Sequence, residues 1–255
     1  MPMSNYQIIA DEPKLLEFIQ LLPDTAPDEC YYVALLARNK WLRDNHDVPP
    51  IASQIQLKRF TSSRSDLVSK LRQLECAVGT YTHKGEAVPQ EALGVYISVN
   101  PRSHRRAGMH VIKEIVGHLE KDTVFNVHQL ALNALQSTPS RRQWFDVDVD
   151  LAGGETREDI TAFLLDIVGD AATFVYTRGG LHCLVETARL PPERAKSWYN
   201  AIAKQERFQS GFDMIGDNLT PLPGCVQGGF VPFLWANPQP NNSSTQQPNN
   251  STTPA

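Results

Sequence analysis

Residues 144–150 read WFDVDVD. Side chains alternate across an extended strand, so Asp146, Asp148 and Asp150 share one face while Phe145, Val147 and Val149 take the other. Three carboxylates in a row on one face repel each other, and aspartate is a poor strand former. A solvated edge strand would tolerate them. A pair of divalent cations would relieve the repulsion, because hard Mg²⁺ or Mn²⁺ prefers carboxylate oxygen. A second chemical stretch, YTRGGLHCLVE, covers residues 176–186. Gly179 and Gly180 leave the backbone open and able to reach positive φ, so their amides can approach phosphate oxygens. Arg178 offers a guanidinium fork to the same anion, and His182, two residues past Gly180, can donate a hydrogen bond to it. The third stretch, residues 212–230, reads FDMIGDNLTPLPGCVQGGF. It combines the acids Asp213 and Asp217 with a Pro223-Gly224 turn and a Gln227-Gly228-Gly229 run, the elements of a site built against a ligand.

Positioning these residues requires an alternation of helices and strands. Residues 13–22 carry apolar side chains at helical spacing and stop at Pro23. Residues 31–36 and 94–99 are β-prone, and 65–76, 107–119 and 127–135 are expected as helices. In the second half, a strand over 144–149 precedes a helix over 158–168. Strands over 173–177 and 181–186 meet at Arg178-Gly179-Gly180. A helix over 191–205, with Pro and Glu in its first turn, leads to a last strand over 226–234. The order strand, helix, hairpin, helix, strand predicts an α+β fold with an antiparallel sheet carrying helices on one face, close to an RRM-like arrangement.

Composition sets the frame. The chain has 255 residues, of which 41% are hydrophobic and 20% charged, the profile of an ordinary globular protein. No apolar run approaches the ~18 residues of a membrane span, and the first residues show no secretory pattern, so a cytoplasmic protein with no membrane partner is expected. The four cysteines form no CxxC pair, which argues against a structural zinc site. Net charge is −4, yet Arg38, Lys40, Arg43, Lys58, Arg59, Arg64, Lys70 and Arg72 crowd one early stretch that could follow a phosphate backbone. From Asn237 onward the chain has no charge and no large apolar residue, so residues 237–255 are expected to be a disordered tail or linker. Residues 1–236 form the expected core, with an N-terminal α/β part to about 140 and the motif-bearing part after it.

An acidic Asp146-Val147-Asp148 strand, a small-x-His turn at Gly180-Leu181-His182 and an acid before PLPGCVQGGF, in that order, resemble the archaeo-eukaryotic primase superfamily. The form is most similar to phage and mobile-element primase-polymerases. The arginine usual in the third stretch is absent, and Thr220 and Pro221 stand nearby instead. The resemblance implies a DNA primase or polymerase with a two-metal site for Mg²⁺ or Mn²⁺. Asp146, Asp148 and Asp217 are the expected ligands, Asp217 being favoured over Asp213 because it lies closer to the Pro-Gly turn; Asp150 leaves the register of the first motif open. Arg178, the Gly179 and Gly180 amides and His182 would hold the triphosphate of an NTP or dNTP, with Arg38 and Lys40 on the triphosphate or the template. The implied partners are single-stranded DNA template and primer and a replicative helicase, as a separate protein or as a domain beyond the tail. The phage-type likeness implies action inside a host cell.

Two other classes compete. A rolling-circle initiator can share an RRM-like core but needs a metal-binding His-hydrophobic-His strand and a catalytic tyrosine, and LHCLV has one histidine. A non-catalytic nucleotide- or single-stranded-DNA-binding replication module of the same fold is the main alternative, although such binders interleave aromatic and basic residues more regularly than Trp41, Phe60 and Tyr81 do.

Overall fold

The computed structural model describes residues 5–42 and 54–235. Arg43 and the tail at 237–255 lie outside the described residues. The order is α1 (Glu12–Leu21), β1 (Glu29–Arg38), β2 (Gln54–Ser62), α2 (Leu67–Arg72), β3 (Thr82–His83), β4 (Glu86–Ala87), β5 (Leu93–Ser98), β6 (Arg102–Ser103), α3 (His104–Glu120) and α4 (Val127–Ser137). It continues with β7 (Trp144–Asp150), α5 (Arg157–Val168), β8 (Ala172–Tyr176), β9 (Gly180–Glu186), α6 (Trp198–Ala203), β10 (Gly211–Gly216), β11 (Leu219–Pro221) and β12 (Phe233–Trp235). The fold is α+β with two antiparallel five-stranded sheets and a short β3–β4 hairpin.

The first sheet runs β11-β5-β1-β2, with β6 also paired to β1. Strand β1 (ECYYVALLAR) is buried from Cys30 to Ala37, so both faces must be covered. Tyr31, Val33, Leu35 and Ala37 join a core with Leu15 and Phe18 of α1 and Leu67 and Leu71 of α2. Tyr32, Ala34 and Leu36 pack on the opposite face with Trp41, Tyr96 and Leu132 of α4. Full burial of a Val, Leu or Phe side chain such as these contributes about 1.5–3 kcal/mol. The start of α1 is fixed by the Asp11 carboxylate, which accepts from Lys14 N–H at 3.2 Å.

The second sheet runs β10-β7-β9-β8-β12, every neighbouring pair antiparallel. Its apolar face, including Val147, Val149 and Cys183, packs on Ile160 and Leu164 of α5 and Trp198 and Ile202 of α6. The other face divides along its length. Trp144, Leu184 and Val175 join the core of the first sheet, whereas Asp148 and His182 line a cavity. The chain also crosses back: β11, from the C-terminal part, pairs with β5 at the edge of the first sheet.

Several elements differ from expectation. The helix expected over 191–205 forms only as α6, preceded by turns. The strand expected over 226–234 is reduced to β12, because Gly228 and Gly229 adopt positive φ (61° and 78°) and bend the chain. It pairs with β8 at one edge of the second sheet, and β10, which was not expected as a strand, takes the other edge beside β7. The Pro223-Gly224 turn has a structural use. Gly224 (φ 78°) turns its carbonyl to Ala10 and Asp11 N–H, both at 2.9 Å, and a Cβ there would collide with Asp11 and Leu15.

Candidate active site

The two sheets border a cavity of about 470 Å³, within the ~300–1,000 Å³ usual for small-molecule sites. From the first sheet and the turn after it come Leu36, Arg38, Lys40, Trp41 and Tyr96; from the second come Asp148, Asp150, Thr177, Arg178, Gly179 and His182. Six of the nine residues singled out for metal and nucleotide therefore share one space: Arg38, Lys40, Asp148, Arg178, Gly179 and His182. Asp146, Gly180 and Asp217 are not among its lining residues.

Strand pairing explains the carboxylate geometry. Asp148 stands directly opposite His182 of β9 on one side and Asp213 of β10 on the other, and opposed side chains share a face. The ring of His182 is buried, with Nδ1 3.0 Å from both oxygens of Asp146 and Nε2 3.3 Å from Asp148 Oδ1. Asp146 is fully buried and also accepts from Thr220 Oγ1 of β11 at 2.9 Å, a stitch between the two sheets. Burial works against a charge on His182, but Asp146, through charge and hydrogen bond, and then Asp148 and Asp150 outweigh it and hold the imidazole above its ordinary pKa. For Asp148, burial raises the pKa; the His182 charge pulls it back, and Asp146, Asp150 and Asp213 push it up again, so the net shift is upward.

The third acid differs from the expectation. Asp217 is 2.5 Å from Nη1 of the fully buried Arg102 and accepts from Asn100 Nδ2 at 3.1 Å. Asn100 in turn receives the N–H groups of Gln143 and Trp144 and donates to the Trp144 carbonyl. Asp217 thus belongs to a buried clamp at the root of β7. Asp213, exposed and also not among the cavity's lining residues, is the acid opposite Asp148, and its Oδ1 accepts from Ile215 N–H at 3.0 Å. The sequence held a sign of this, since Phe212-Asp213 is a hydrophobic-acid pair and Gly216 precedes Asp217.

His182 and the glycines also take other parts than those expected. Both ring nitrogens of His182 face carboxylates, so the ring positions Asp146 and Asp148. Neither Gly179 nor Gly180 has positive φ. Gly180 is needed because β9 approaches β7 so closely that a Cβ would overlap the Val149 carbonyl.

The three cations of the cavity differ in how they are held. Arg178 donates from Nη1 to the carbonyls of Gly228 and Trp41, and its backbone N–H donates to Gln227 Oε1 at 2.9 Å. Among the described residues, its Nε and Nη2 have no acceptor. Arg38 donates to the Tyr96 hydroxyl at 3.1 Å and lies 5.7 Å from the Trp41 ring and 5.9 Å from the Tyr96 ring. Lys40 is exposed at the rim. Among the described residues, none of these three cations has a carboxylate partner. Gln227, buried and bonded to Arg178, also lies 3.5 Å from the Tyr96 hydroxyl and so couples the two walls. Tyr96 and Trp41 were not foreseen as site residues, and Gln227 was read only as part of the Gln227-Gly228-Gly229 run, with no role of its own.

The donor set can be tested against a divalent cation. Among the described residues no three His, Cys, Asp or Glu side chains form a ready metal cage. The expected trio with Asp217 does not fit, since Arg102 occupies that carboxylate. Asp148 fits in chemistry: a half-buried carboxylate crowded by Asp146, Asp150 and Asp213 gains from a nearby hard cation. No family model matches the chain, and no curated protein and no solved structure matches it. No described helix is long and apolar enough to cross a membrane.

Proposed function

We propose that the chain is a nucleotidyltransferase that acts on nucleic acid, a primase-polymerase core of the archaeo-eukaryotic primase kind. The observation that carries this reading is one cavity with three cations lacking carboxylate partners among the described residues on one side and crowded carboxylates on the other. That pairing suits a triphosphate together with divalent metal. The strand order β10-β7-β9-β8, with α5 and α6 on one face, agrees with an RRM-like core.

In this reading Asp148, Asp150 and Asp213 hold the cation side of the site. Asp146 acts through His182, keeping Asp148 in place. Arg178, with Nη1 tied to backbone carbonyls, presents Nε and Nη2 to the triphosphate, and Arg38 and Lys40 meet it from the other wall. The aromatic faces of Trp41 and Tyr96 keep the Arg38 guanidinium oriented. Bound Mg²⁺ or Mn²⁺ supplies activation of a 3′-hydroxyl and neutralisation of leaving pyrophosphate.

The deciding experiment incubates the chain with labelled NTP or dNTP on primed and unprimed single-stranded DNA, with Mg²⁺ or Mn²⁺. Metal-dependent extension products are expected from at least one nucleotide set. A complete absence of product, with nucleotide still bound, would establish the second reading: a non-catalytic nucleotide-binding or single-stranded-DNA-binding module. What favours that second reading is His182, which fills the space between Asp146 and Asp148.

A further inference from the structure

Outside the cavity, the first sheet carries a polar strip that the nucleotide site does not use. Strand β2 lies at the sheet edge, and its register puts Gln54 beside Arg38, Gln56 beside Leu36 and Arg59 beside Ala34, on the face that α4 covers. On α4, Gln129, Asn133 and Gln136 are spaced four and three residues apart, so they share one helix face, and all three are exposed. The two rows meet where Arg59 Nη1 donates to Asn133 Oδ1 at 2.8 Å, with Gln129 donating to the same oxygen at 3.0 Å. Gln54 and Gln136 themselves line the cavity, so the strip starts where the site ends. From Gln54 to Arg59 it extends about 16 Å, at ~3.3 Å per strand residue.

The charge along it is one-sided. Neither β2 (QIQLKRFTS) nor α4 (VHQLALNALQS) contains an acid, in a chain whose net charge is −4. Amide side chains both donate and accept, which suits unpaired base edges. Lys40, at the cavity rim, and Arg59 suit a phosphate backbone.

We propose that this strip is where a single strand of nucleic acid leaves the cavity, with Arg59 held by Asn133 as its phosphate contact. This assignment rests on the nucleotidyl-transfer reading of the cavity. Beyond Gln54 and Gln136, which line the cavity, it names a surface outside the nucleotide site.

The test titrates the full chain with a fluorescent oligodeoxythymidine across a salt series, alongside a fluorescent nucleotide with Mn²⁺. Asn133→Asp keeps the shape and the hydrogen bond to Arg59 and adds only negative charge to the strip. Arg59→Glu reverses the charge. Lys204→Glu, just after α6 on the helix-covered side of the second sheet, is the control. Both strip variants should bind the oligonucleotide about tenfold more weakly, with a salt slope reduced by about one for Arg59→Glu. Nucleotide binding should stay unchanged. Strip variants that match Lys204→Glu on the oligonucleotide overturn the proposal, and extension activity then tells whether the cavity reading survives. Weakened oligonucleotide binding in a chain that extends no primer keeps the strip and removes the enzyme.

Discussion

The two sheets bring opposite chemistry to one cavity by different means. The first places its charges at a strand end: β1 is apolar throughout its buried length, and Arg38 and Lys40 appear only as it emerges, lying against aromatic rings or at the rim. Such cations cost little, because long side chains lay their stems on apolar surface and keep their heads near water. The second sheet carries its acids within β7, where Asp146 is fully buried and Asp148 crowded. Those acids need His182, Thr220 and a tight β7–β9 approach through Gly180 to be tolerated. The second sheet thus holds its acids in place by specific partners, whereas the first sheet leaves its cations at a strand end.

The sharpest way to break this contrast is Asp148→Asn. Nucleotide incorporation should fall on the order of 10³-fold, the several kcal/mol that metal-assisted charge stabilisation provides, measured by primer extension. Thermal stability should not fall. Asp148 holds its proton more tightly folded than unfolded, so its ionisation opposes folding as pH rises through its raised pKa. Asparagine removes that opposition. A clear loss of stability would show that the carboxylate is structural.

Asp217→Ala should show the reverse pattern. It strands the fully buried Arg102 without its counter-charge, and one-partner removal of a buried pair costs about 3–5 kcal/mol, to be read in denaturant unfolding. Asp213→Asn should cost activity with little change in stability. If the two acids exchanged these phenotypes, the assignment of β10 to the site would be wrong.

Gln227→Leu tests the coupling between the walls. Loss of its bonds to Arg178 and Tyr96 should raise the nucleotide KM about tenfold, in line with ~1–1.5 kcal/mol for such contacts, while kcat changes less. A fall confined to kcat would contradict an anion-positioning role.

The smallest effect concerns thiols. Burial pushes Cys30 up to about 11 and raises Cys183 and Cys225 further, while Cys76 is partly exposed. Native chain treated with iodoacetamide should take one label, at Cys76, by mass spectrometry. Rapid labelling of Cys183 would mean that the helix-covered face of the second sheet opens readily.

What the sequence made legible followed local rules. The alternation in WFDVDVD placed the acids on one face and the valines on the other, as β7 does. The apolar spacing over 13–22 marked α1 as a helix, and α5 forms where a helix over 158–168 was expected. What stayed hidden depended on distant pairing. Asp213 and Asp217 differ by four positions, and only the register of β10 on β7 and the location of Arg102 separate them. Strand β2 passed as a basic stretch because its alternation (Ile55, Leu57) is interrupted by Lys58 and Arg59. The residues at 191–197 carry helix-start composition yet form only turns, since tertiary packing reaches the segment first at Trp198.

The proposed function requires a divalent cation at Asp148 and Asp213, facing a triphosphate held by Arg178, Arg38 and Lys40. A crystal structure with Mn²⁺ and a non-hydrolysable nucleoside triphosphate, with manganese located by anomalous scattering, tests it directly. A manganese peak touching Asp148 is expected, with phosphate oxygens within hydrogen-bond reach of Arg178 Nε or Nη2. A nucleotide bound elsewhere, or manganese on Asp217 in place of Asp148, would contradict it.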